Sequence, residues 1–159
     1  MKGNLLAILA LPLMIGGCTE SSHRPPGADA LIRESKAAFP AAAEFDFTAP
    51  GRMEIRDAAG KLLGHARFTE PASSGATGFR GPVPVAVFLD PGDRVVTTAL
   101  LPNQEDRKFV DKLRQDDLCG RWSGFPRSEA ADLEVDAVTG ATYSSRAAVS
   151  SVRALLREK

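Results

Sequence analysis

Ten residues near the C-terminus, Asp136-Ala137-Val138-Thr139-Gly140-Ala141-Thr142-Tyr143-Ser144-Ser145, constrain the chain more than any other stretch. Before them, Leu133, Glu134 and Val135 read as the end of a strand. After them, apolar residues recur at Ala148, Val149, Val152, Leu155 and Leu156, the three-to-four spacing of one buried helical face. The stretch is therefore expected to be a strand-to-helix turn pivoting on Gly140, a residue free to adopt a left-handed backbone. Thr142 falls where the helix begins, and Ser144 and Ser145 offer hydroxyls to its first, unpaired amides. Free N–H groups and the helix dipole both favour a negative charge there, so the turn is suited to a phosphate.

Asp136-x-x-Thr139-Gly140-Ala141-Thr142 resembles the flavinylation motif of the FMN-binding domain family. That family includes subunits of the sodium-pumping NADH:quinone oxidoreductase and of the Rnf complex. The resemblance implies that the last threonine, Thr142, carries FMN through a phosphoester. A magnesium- and FAD-dependent flavin transferase would install it. Asp136, Thr139, Gly140 and Ala141 complete the motif, and Tyr143, Ser144 and Ser145 continue it into the helix. Two upstream segments also resemble the family: Phe79-Arg80-Gly81-Pro82, ahead of the central strands, and the turn at Glu105. The family often has Glu-Thr at that turn, near the flavin; this chain has Glu105-Asp106. The structural rival is a plain helix cap, for which Thr-Gly-Ala-Thr would also serve.

A phosphoester needs an acceptor hydroxyl exposed on a turn and flanked by small residues, and Gly140 and Ala141 meet that condition. The diester keeps one negative charge, which a helix start stabilises by about 0.3–1 kcal/mol, so the covalent bond would hold the cofactor. Asp136 either fixes the turn through backbone amides or helps place the transferase's metal. A second Ser-Gly-Ala-Thr, Ser74 to Thr77, lacks both a carboxylate at the motif's spacing and a following helix, and is expected to carry no flavin.

The chain opens with Lys2, an apolar run from Leu5 to Met14, and Ile15-Gly16-Gly17-Cys18. The run is too short to span a bilayer, which takes about 20 residues. The small-small-Cys ending resembles a bacterial lipobox, which implies a signal peptide over residues 1–17 and a lipidated Cys18. Residues 18–27, with Pro25-Pro26, read as an extended tether, and residues 28–159 as a single domain. The expected location is the extracytoplasmic side of a membrane, held by acyl chains.

Within the domain, Asp29 to Phe39 reads as a helix stopped by Pro40, and Ala41 to Pro50 as a loop or weak extended segment. Arg52 to Arg56 and Lys61 to Thr69 are strand-like around an Asp57-to-Gly60 turn. Val83 to Asp90 and Arg94 to Leu101, around Pro91-Gly92-Asp93, make the clearest hairpin. A helix is expected from Asp106 to Leu118, with Phe109, Val110 and Leu113 inward, followed by a crossing to a final strand. Trp122 and Phe125 lie in that crossing, where Trp122 is either core or a flank for a flavin ring.

Other chemistries are poorly supported. Of 20 basic residues one is Lys2, so the chain beyond the leader is nearly neutral, with no basic stripe for nucleic acid. Cys18 is claimed by lipid and Cys119 has no second cysteine nearby, which leaves neither a thiolate metal site nor a disulfide in the domain. The only histidine in the domain, His65, is expected to be a half-buried strand residue, and no nucleophile or nucleotide fingerprint is present. The expectation is an α+β domain, an antiparallel sheet of about five strands flanked by helices. Its function would be electron transfer by covalent FMN between membrane and extracytoplasmic redox partners, as a carrier more than a self-contained enzyme. The alternatives are a regulatory flavoprotein subunit of a membrane complex and a lipoprotein binding module without flavin.

Overall fold

A computed structural model describes residues 24–70 and 76–158. The expected signal peptide, Cys18, His23 and half of the second Ser-Gly-Ala-Thr (Ser74 and Gly75) therefore lie outside the described residues. The elements run α1 (Ala28–Ala38), β1 (Ala42–Ala49), β2 (Arg52–Asp57), β3 (Leu62–Phe68), β4 (Val85–Leu89), β5 (Val95–Leu100), α2 (Arg107–Gln115), a 3-10 segment (Leu118–Trp122), α3 (Arg127–Ala130) and α4 (Thr142–Arg157). The strands form one five-stranded sheet in the order β1-β2-β3-β4-β5, every pair antiparallel. Short turns make β1–β2, β2–β3 and β4–β5 antiparallel neighbours, while the longer connection over residues 69–84 brings β4 back against β3. Asp57 builds the β2–β3 turn by accepting the Ala59 and Lys61 amides on Oδ1, each at 2.9 Å. Asp90 repeats the device between β4 and β5, accepting Gly92 and Arg94 at 2.8 and 3.0 Å.

The sheet is covered on both faces, and β4 shows it most clearly. Val85, Val87 and Leu89 join a core with Leu113, Leu118, Trp122, Val149, Val152 and Leu156. The alternate residues Ala86 and Phe88 pack instead with Leu31 of α1, Met53, Ile55 and Phe68. Strand side chains alternate between faces, so all five β4 residues are buried only because helices lie on both sides.

One expectation is narrowed and two need correction. Of Ala41 to Pro50, read as a loop or weak extended segment, the extended alternative holds, and Ala42–Ala49 is an edge strand: Phe45 and Phe47 are half-buried while Glu44, Asp46 and Thr48 point to solvent. Its alternation is diluted by small residues and by two register shifts against β2. The helix after Asp106 ends at Gln115, because Asp117 takes a left-handed backbone (φ 45°) and the chain tightens into the 3-10 segment. No strand forms at Leu133 to Val135. The crossing instead contains α3 and an extended strap outside the sheet. Arginine side chains, not a strand ladder, satisfy carbonyls of the strap: Arg153 donates to Leu133 O at 2.8 Å and Arg121 to Asp136 O at 2.9 Å.

Helix α4 is fixed at its far end by two guanidinium groups. Arg67, buried in β3, donates to Glu158 O at 2.6 Å and Leu155 O at 3.3 Å. Arg127 donates to Glu158 O and Leu156 O at 2.7 and 3.2 Å, and its Nε meets Asp93 at 2.6 Å. Cations at a helix C-terminus are favoured by the dipole, and here they also set the axis that aims the N-terminus. His65 sits half-buried on β3 with Asp93 3.7 Å away, as expected of a strand histidine with a local partner. No helix among the described residues is long and apolar enough to cross a membrane.

Candidate functional site

The strap descends to Val138, which is buried, and the chain then turns through Gly140 at φ 78°. Ser145 latches this turn. Its hydroxyl accepts the Val138 amide at 3.0 Å and lies 2.9 Å from Ala141 O, to which it donates. A further turn bond joins the Ala141 amide to Val138 O at 3.0 Å. Ser144 and Ser145 are therefore buried and face inward, and they do not cap α4 as the sequence suggested. Ala141 is the N-cap residue and makes no side-chain cap hydrogen bond, so the first-turn amides face the turn without a capping oxygen and suit an anion.

A second wall stands opposite. Ser144 donates its hydroxyl to Glu105, whose carboxylate also accepts the Phe79 amide at 3.0 Å and the Arg80 amide at 2.6 Å. Burial alone would raise this carboxyl, but the bonds from Ser144 and from the Arg80, Phe79 and Gly81 amides outweigh it and hold the group below its ordinary value. The approach is close enough to require glycine at position 78. A Cβ there would lie 2.9 Å from the Glu105 carboxyl and 2.8 Å from Val83. Asn103 supports the loop from behind, accepting the Glu105 amide at 3.0 Å. Glu105, expected near the flavin, has its carboxylate engaged with donors of the chain, and it joins the Gly78–Gly81 loop to α4.

Between the walls lies a cleft of about 300 Å³ lined by Phe79, Phe109 and the run from Gly140 to Ser144. Phe79 and Tyr143 are 57% and 68% exposed, an unusual presentation of aromatic surface that suits a planar ring. Phe79 meets Phe109 edge-on with centroids 5.4 Å apart. Cations rim the slot: Arg80 stands 5.9 Å from the Phe79 ring centre and Lys108 4.9 Å from that of Phe109. Lys112 lays its ammonium against Gly140, in the space a Cβ would take.

The motif residues are not all brought to this cleft. Gly140, Ala141, Thr142, Tyr143 and Ser144 line it. Thr139 is exposed on the turn. Asp136 lies in a separate, more polar cleft of about 610 Å³, with Arg146, Arg153 and Arg157 on the other flank of α4. Its carboxylate has no hydrogen bond among the described residues. The Val138 and Ala141 amides that it might have fixed are bonded to Ser145 and to Val138 O. Trp122 is 1% exposed and packs in the core with Leu113 and Leu118, away from the cleft lining. Sequence reasoning missed Phe109 and Lys112 as site residues. Their three-residue spacing on α2 was the available signal, but Phe109 was read only as inward, with Val110 and Leu113, and Lys112 was given no role.

An α+β domain with an open helix start, an aromatic slot and rimming cations has the parts a flavin nucleotide requires. The amides and Lys112 suit its phosphate, and Phe79 and Tyr143 suit its ring. The family model of the FMN-binding domain matches residues 78–157, and the chain belongs to that family. The match begins at Gly78, where Glu105 presses on the backbone, and ends with α4, so it contains both walls of the cleft and leaves α1 and β1–β3 outside. Comparison with curated proteins finds no match to the chain. The protein is a flavin-binding domain, and FMN is its cofactor.

Proposed function

We propose that this protein holds FMN covalently on Thr142 and works as a lipid-anchored electron carrier on the extracytoplasmic face of a membrane. The observation that carries the covalent reading is the fate of the hydroxyls around the turn. Ser144 and Ser145 are buried and already bonded within the chain, and Thr139 is not among the cleft residues. Thr142 is partly exposed, lines the cleft and stands at the uncapped start of α4. In the transfer, its Oγ attacks the flavin-side phosphorus of FAD. The bond from that phosphorus to the AMP oxygen breaks, AMP leaves, and the hydroxyl proton passes to the transferase. The chain gains FMN less one water.

Bound FMN supplies reversible acceptance of electrons at its ring. The chain's own residues hold the phosphate end at α4, offer Phe79 and Tyr143 to the ring, and leave the slot open to partners. Asp136, free of the turn and exposed beside the arginine-lined cleft, fits a role toward the flavin transferase and its magnesium better than a structural one. The carrier reading follows from the slot's openness: electrons must enter and leave through membrane redox partners. The anchor reading rests on the Gly16-Gly17-Cys18 ending.

The test is intact mass of the chain produced with and without a flavin transferase. Thr142→Ala is expected to abolish the added mass, and Thr77→Ala to preserve it. Thr77 forms an isolated bridge with Pro82 in a loop with no helix start. Label lost from the Thr77 variant alone would reverse the assignment. For the anchor, Cys18→Ser is expected to release the protein from membranes.

A further inference from the structure

We propose that Lys112 is the counter-ion of the flavin anchor, its ammonium pairing with the phosphoester on Thr142 and so tying α2 to α4 through the cofactor. The inference rests on the reading of Thr142 as the flavin-bearing residue. Helix α2 carries Arg107, Lys108, Lys112 and Arg114 against one acid, Asp111. Each of these cations except Lys112 has a visible engagement: Arg107 and Arg114 both stand 3.7 Å from Asp111, and Lys108 lies over the Phe109 ring. The acid one helical turn beyond Lys112 is Asp116, and Arg121 has claimed it. Lys112 has no ion pair among the described residues, although the chain as a whole is neutral and well supplied with acids.

Its position explains what the free charge is for. The Lys112 ammonium occupies the space above Gly140, two residues before Thr142, on the same side of α2 as the cleft-lining Phe109. A side chain at position 140 would displace it. The turn therefore uses glycine for two reasons, its left-handed φ of 78° and the room it gives to a cation. A singly charged diester on Thr142 would be met by open amides of α4 and by an otherwise unpaired ammonium of α2.

The experiment uses the chain made with a flavin transferase, its full loading verified by intact mass, beside unloaded Thr142→Ala. Both are acetylated with an activated acetate ester, and the rate at each lysine is read by peptide mass. Pairing keeps an amine protonated and unreactive. Lys112 is expected to react about two- to fivefold more slowly in the loaded chain at low ionic strength, with Lys61, in the β2–β3 turn, unchanged. Protection should vanish near 1 M salt, where the screening length is about 3 Å. The phosphorus resonance of the loaded chain should shift in Lys112→Gln and be restored towards wild type in Lys112→Arg. Equal Lys112 rates in a fully loaded chain, or protection that survives high salt, overturn the pairing while leaving the flavin on Thr142 intact. A chain that gains no mass overturns the Thr142 reading, and the pairing with it.

Discussion

The Ser144 hydroxyl, buried in the first turn of α4, donates to the carboxylate of Glu105, which lies ahead of α2 and grips the backbone of the Phe79 loop. One carboxylate thus sets the distance between the two walls of the cleft proposed for the flavin. Neither residue needs to touch the cofactor for the site to depend on both.

Glu105→Ala should cost about 1.5–3 kcal/mol of stability, the range for hydrogen bonds to a buried charged group, measured by urea unfolding. Because the folded-state carboxyl is held below its unfolded value, its contribution is fully present above the unfolded pKa of about 4.3. It is lost as pH falls through the folded value. The difference in stability between wild type and Glu105→Gln should therefore shrink on acidification below that point. A difference that persists undiminished in acid would show that the charge is not what matters.

Gly140→Ala forces a side chain into a left-handed backbone and against the Lys112 ammonium. The backbone share alone is about 1–2 kcal/mol. Chemical denaturation should find at least that loss, and Gly140→Ala combined with Lys112→Ala should recover only a minor part. Full recovery in the double variant would make crowding, not backbone conformation, the cause.

Thr142→Ala should leave stability within about 0.5 kcal/mol of wild type, because no side chain caps α4 and Thr142 is not in the core. Unfolding curves and circular dichroism check the fold. Spectroelectrochemical titration should find reversible electron uptake in the loaded wild type and none in the variant. A loaded flavin that stays oxidised across the accessible range would exclude the carrier role.

Trp122→Ala should cost about 3–5 kcal/mol, as for other buried large aromatics. Trp122→Phe should be far milder, since the indole N–H has no partner to lose. Flavin loading of Trp122→Phe, read by intact mass and in-gel fluorescence, should match wild type. Impaired loading in a stably folded Trp122→Phe would return Trp122 to the site.

Local chemistry is what the sequence by itself determined. The Gly140 turn, the α4 face, both Asp-initiated hairpins and the motif around Thr142 are written in neighbouring residues, because turn geometry and helical periodicity act over a few positions. The α+β class followed from them. Tertiary structure decided which polar groups meet. Ser144 looked like a cap and became a clamp on a carboxylate 39 positions away. Leu133 to Val135 had the composition of a strand, but arginines of α4 and the 3-10 segment took carbonyls of the strap that a ladder would have used. Ala42–Ala49 lacked a strong pattern and became a strand because β2 offered it an edge. Lys112 shows the same limit most sharply. Its charge is plain in the sequence, but its place over Gly140 depends on how two distant helices pack, and no local rule encodes that distance.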